Sequence, residues 1–154
     1  MRKLVTLSVT IGLALGATVA QAQGLAPAKP EDALKYRKAA MTLIGAHFGA
    51  LGAMARGDRP FDAAVATANA QVMEMASKLP FEAMFVAGTH DNANTTAKGN
   101  IVTDKDKFLA GAKRMQDEVV KLVAAAKTDQ AGLRTQFGAV GQTCKACHTD
   151  YRTQ

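Results

Sequence analysis

Near its C-terminus the chain reads Cys144-Lys145-Ala146-Cys147-His148, and this C-x-x-C-H stretch constrains what the chain can fold into more than any other. Two thiols three residues apart lie on one face of a helix. From there each can add to one of two neighbouring vinyl groups of a porphyrin and leave a thioether. His148 follows directly and can turn its imidazole onto the iron from the proximal side. No other thiol competes, because the chain of 154 residues has just these two cysteines.

Three plainer readings compete with covalent haem attachment. A redox disulfide of the thioredoxin kind belongs beside a βαβ pattern, and the sequence has none. Half of a zinc site needs a second pair of ligands at zinc spacing, which is missing. A structural disulfide between Cys144 and Cys147 would close a very short loop and restrain little. Attachment of one haem c per chain is the favoured reading, with a haem-free helical binding module carrying a Cys144–Cys147 disulfide as the alternative from another class.

The N-terminus reads as an export signal. Arg2 and Lys3 precede a largely apolar run, Leu4 to Ala20, and Ala20-Gln21-Ala22 has the small-residue pattern of a cleavage site. Residues 1–22 are therefore expected to be removed, leaving one domain over residues 23–154, soluble and, in a bacterial cell, periplasmic. The apolar run is short and holds Thr and Gly, so it is not read as a membrane anchor, and nothing later is apolar enough to span a bilayer. The formal charge of +6 counts Arg2 and Lys3. What remains is modest and scattered, with no aromatic platform between the basic residues, which excludes nucleic-acid binding as a working reading. A weak preference for acidic partners is left.

The rest of the chain reads as helices. Trp is absent and aromatics are few, which favours helix over sheet. Pro30, Glu31 and Asp32 mark a helix start, and Leu34, Met41, Ile44, Phe48 and Leu51 form one apolar stripe that stops near Gly57. After Gly57-Asp58-Arg59-Pro60, a second helix is expected to bury Phe61, Val65, Ala68, Val72 and Met75, and to end before Pro80. From Pro80 to about Asn100 turn residues dominate, the length of a crossover or a functional flap. Thr103 is expected to cap a third helix with Phe108, Ala112, Met115, Val119, Leu122 and Ala126 on its buried face. Thr128 is expected to cap a fourth, in which Leu133, Phe137, Val140, Cys144, Cys147 and Tyr151 alternate steps of four and three. Both cysteines thus lie on the core-facing stripe, so an attached haem must enter the interior. Four amphipathic helices with one long crossover give an all-α, antiparallel four-helix bundle.

A bundle with C-x-x-C-H on its last helix resembles the class II c-type cytochromes, the cytochrome c′ family. Lys29 to Arg37 is similar to the start of the family's first helix, and Phe137 to Gly141, Cys144 to His148 and Tyr151-Arg152 are similar to its last. The resemblance implies that Cys144 and Cys147 carry the haem and that His148 is the proximal ligand. It places Arg37, Lys38 and Arg152 near the haem edge and Met41 on the distal side of the iron. Low-spin members of the class have Met there as sixth ligand, whereas high-spin members leave the iron five-coordinate and open to gases. Met84 is a weaker ligand candidate. Met54, Met73, Met75 and Met115 are read as packing, and His47 and His90 as exposed.

The expectation drawn from this is an electron carrier, not an enzyme, with His148 and Met41 as axial ligands and redox proteins as partners. The alternative is a five-coordinate protein that binds nitric oxide or carbon monoxide, with Met41 only walling the pocket. The resemblance also implies a homodimer paired through the first two helices.

Overall fold

The structure is a computed structural model in which residues 29–91 and 93–153 are described. The expected signal segment, residues 1–22, lies outside them. Six helices follow in order: α1 Pro30–Arg56, α2 Ala63–Ser77, α3 Phe81–Met84, α4 Asn100–Thr103, α5 Lys105–Ala125 and α6 Gln130–Tyr151. Among the described residues the single extended pairing is an isolated antiparallel bridge between Ala97 and Arg152.

The four long helices form the bundle. α1 packs on α2 and α6, and α5 packs on the same two, so α1 and α5 face each other across a diagonal. The antiparallel four-helix bundle is the fold expected from the sequence. α1 begins as expected, with Pro30 in the first turn and Glu31 and Asp32 facing the positive end of the helix dipole. It ends where Gly57 adopts a left-handed φ of 87° and its N–H closes on the Met54 carbonyl.

Two cores stack along the bundle. One joins Leu51, Met54 and Ala55 of α1 to Met73 of α2, Val119 and Leu122 of α5, and Leu133 and Val140 of α6. The other gathers Ala40, Phe81, Met84, Ile101, Phe108, Ala112 and Tyr151 at the end where the crossover lies.

Three expectations are corrected. The face that α2 buries is Ala66, Ala70, Met73 and Ala76, whereas Val65 is 50% exposed, Met75 is 65% exposed and Ala68 is exposed too. Both stripes have helical spacing, and the one with small alanines wins because it lets α2 approach its neighbours closely. Thr103 does not cap α5. It ends the short α4, where its hydroxyl donates to the Asn100 carbonyl at 3.1 Å, and Asp104 occupies the cap position. Thr128 likewise donates to Ala125, and the cap of α6 is Asp129, whose carboxylate accepts from the Gly132 N–H at 2.7 Å. The α2 cap is Asp62, accepting from Ala64 and Val65.

Candidate haem site

At the crossover end the helices enclose a cavity of about 930 Å³, within the range of ligand pockets. α6 supplies one wall with Cys144, Cys147, His148 and Tyr151, and α1 supplies another with Met41, Ile44 and Phe48. α5 contributes Phe108, Ala112 and Met115, and the crossover closes the end with Ala93 to Ala97. The residues singled out from the C-x-x-C-H motif and from the first helix therefore meet at one place.

The thiols are half-buried and not joined to each other. Burial pushes both upward from the ordinary thiol range, and the nearby Arg114 only partly opposes this at Cys147. Burial pushes the His148 imidazole below the usual histidine range, and the Arg152 cation adds to the effect. Among the described residues no group of three or more His, Cys, Asp or Glu side chains converges to hold a bare metal ion.

The cavity fits a haem on two observations. Tyr151 is 5% exposed and its hydroxyl has no hydrogen-bond partner among the described residues, although Tyr151 lies on the cavity wall. A buried hydroxyl left unpaired is costly, and a polar group in the cavity would satisfy it. The lining also holds Arg37, Lys38 and Arg152 but no carboxylate, which suits a cofactor that brings two propionates.

Other candidates are placed differently from their sequence reading. Arg37 lines the cavity but is 4% exposed and bonded to the crossover, whereas Lys38 and Arg152 stand exposed at the cavity mouth. Met84 is fully buried and does not line the cavity. Met115, read as packing, does line it, and Met75, also read as packing, faces outward. His47 is half-buried and not exposed: its Nδ1 pairs with Asn69 Oδ1 at 2.8 Å and ties α1 to α2. His90 is half-buried in the crossover and is not part of the cavity wall. Thr95 and Thr96, which no sequence signal singled out beyond the length of the crossover, form part of the wall.

Taken together, the fold and the site define a helical bundle whose last helix brings two thiols and an imidazole to the wall of one cavity. A family model described as Cytochrome C' matches residues 32–152, and the chain belongs to the cytochrome c′ family. Proteins of this family carry one covalently bound haem c per chain. The cytochrome c′ of Alcaligenes xylosoxydans xylosoxydans is 44% identical over 126 residues, covering 81% of this chain and 96% of that protein. The solved cytochrome c′ from Rhodobacter spheriodes superposes with a TM-score of 0.78 at 36% identity, over 82% of this chain and 99% of that one. Structures of cytochrome c prime from Alcaligenes xylosoxidans superpose with a TM-score of 0.74 at 44% identity, over 82% and 98%. They include a nitric oxide complex of one mutant and a carbon monoxide-bound variant.

Proposed function

We propose that this chain is an exported, periplasmic haem c protein that binds small gases such as nitric oxide and carbon monoxide. Cys144 and Cys147 carry the haem through thioethers, and His148 is the proximal ligand. The observation behind this is the C-terminal stripe itself: both thiols and the imidazole stand on the wall of one interior cavity. A haem c bound there would supply an iron able to take up a diatomic ligand. The chain's own part is to hold and shield it. Ile44 and Phe48 line the α1 side, Phe108 and Ala112 the α5 side, and these apolar surfaces exclude water. Lys38 and Arg152 at the mouth offer positive charge to the cofactor's carboxylates. The gas-binding reading draws on the ligands of the Alcaligenes relatives.

A second reading is favoured by Met41. Its side chain stands on the α1 wall of the same cavity, and a thioether there as sixth ligand would make the protein an electron carrier serving redox partners. No catalytic residue is assigned in either reading.

The export reading rests on residues 1–22. Pairing of two copies through α1 and α2 is supported by the apolar residues those helices leave uncovered: Leu43, Val65 and Met75 are 44%, 50% and 65% exposed.

Mass spectrometry of the exported protein tests the core of the proposal. A chain that starts at Gln23 and carries one haem mass, lost when Cys144 and Cys147 are both replaced by Ala, is expected. An unmodified chain would overturn both haem readings. Met41→Ala separates them: an unchanged visible spectrum is expected for gas binding, and a conversion from low to high spin would establish Met41 as a ligand.

A further inference from the structure

The crossover between α2 and α5 is fastened to the bundle on both of its edges. On one edge stands Arg37, whose partners lie far along the chain. Its Nη1 donates to the Met84 carbonyl at 3.3 Å and to Thr89 Oγ1 at 3.1 Å. Its Nη2 donates to the Thr89 carbonyl and to Thr95 Oγ1, the latter at 2.8 Å. The guanidinium also sits 4.5 Å from the centroid of the Phe85 ring. Among the described residues it forms no ion pair with a carboxylate. Both terminal nitrogens are therefore spent on the crossover, in the planar fork geometry that a lysine does not reproduce.

On the other edge the crossover meets the end of α6. Arg152 Nε donates to Thr96 Oγ1 at 3.1 Å, the Thr153 N–H donates to the Thr96 carbonyl at 2.8 Å, and the Lys98 N–H donates to the Tyr151 carbonyl at 3.0 Å. Helical spacing gives these ties a direction. Arg37 lies one turn before Met41, and Arg152 lies one turn after His148. Further along the bundle α1 and α6 touch directly, with Phe48 and Phe137 stacked at 4.1 Å. At the crossover end the cavity intervenes between them. Burying the cation costs hydration, and its bonds to the crossover offset that cost.

We infer that Arg37 is a positioning residue: it holds the crossover to α1 and, through Thr95, Thr96 and Arg152, fixes the separation of the Met41 and His148 walls of the cavity. This rests on the haem reading above and deepens it. Loosening the tie frees the α1 wall from the α6 wall and opens the distal side to ligands.

The test uses the haem-loaded protein, with hydrogen–deuterium exchange and stopped-flow carbon monoxide binding as readouts. Arg37→Gln is expected to speed exchange in peptides covering residues 89–97 by about tenfold. It is also expected to raise the carbon monoxide association rate by about threefold or more. Thr95→Val, which also removes the acceptor of the Ala97 N–H at 3.1 Å, is expected to move both in the same direction by less, and to combine with Arg37→Gln less than additively, because the two share one hydrogen bond. Lys35→Gln removes a charge from the exposed face of the same helix and is expected to change neither. If Arg37→Gln lowers only the unfolding midpoint while the association rate stays at the wild-type value, the residue is merely structural and the inference fails. Should Arg37→Gln not accumulate, Thr95→Val decides by the same two readouts. A wild-type protein that takes no carbon monoxide would sink the gas-binding function. Exchange and the haem absorption spectrum would then still decide the role of Arg37, and wild-type behaviour in both would overturn it.

Discussion

At Gly52 the room between α1 and α6 is used up. A Cβ there would lie 2.9 Å from Phe137 Cζ and 2.9 Å from Arg56 Nη1. The Arg56 end can swing away, whereas moving the Phe137 ring would disturb its stack on Phe48. Gly52→Ala is therefore expected to cost about 1–3 kcal/mol, seen as a lower unfolding midpoint, and an unchanged midpoint would contradict this packing. Residues whose chemistry is local were legible in the sequence. Cys144, Cys147 and His148 stand at the spacing that a haem's vinyls and iron would demand, and all three line the cavity. Arg37 was not legible in the same way. It falls in register with the α1 stripe, three residues after Leu34 and four before Met41, but its hydrogen-bond partners lie 47 to 58 residues downstream and no local pattern names them. The environment of His47 was hidden for the same reason, since Asn69 reaches it from another helix.

Helix caps show how finely element boundaries can be read. α1 was readable at both ends because Pro30 and Gly57 act through their own backbone preferences. At α6 the expected cap, Thr128, is off by one: the carboxylate of Asp129 takes the cap while Thr128 bonds backward to α5's last turn. Asp129→Ala is expected to cost about 1 kcal/mol and Thr128→Ala much less. Equal losses in denaturant titrations would show that the cap is wrongly assigned. Between α5 and α6 the Glu118 carboxylate accepts from Lys121 at 2.7 Å and from Gln136 at 2.6 Å. These bonds hold its pKa below the usual carboxylate range. A depressed carboxylate contributes stability above its unfolded pKa and loses it as pH falls through the folded value. An NMR titration of Glu118 is expected to give a midpoint below that of a free glutamate, and a midpoint at or above it would contradict the pairing. The buried face of α2 was the element-level miss. Periodicity marks two stripes there and does not say which meets the core; side-chain volume favoured Val65 and Met75, while close packing selected the alanines.

For the whole molecule, the bundle is tight at one end and hollow at the other, and the hollow end is where Cys144, Cys147, His148 and Met41 collect. The stripe that α2 leaves outside is the natural surface for a second copy, as proposed above. Wild type is expected to sediment as a dimer, and Val65→Glu with Met75→Glu as a monomer with the same haem spectrum; a monomeric wild type would remove the pairing. The helices and the haem stripe were readable because each rests on a local period, whereas the cavity belongs to no single helix and arises where α1, α5, α6 and the crossover meet. The central claim, as proposed, is that this cavity holds a haem c whose iron is free to bind a small gas. The visible spectrum of the purified protein, reduced with dithionite and then exposed to carbon monoxide, tests it most directly. The account predicts a broad, unsplit reduced spectrum that shifts when carbon monoxide is added. Sharp, split reduced bands that carbon monoxide leaves unchanged would contradict it and show a position already filled.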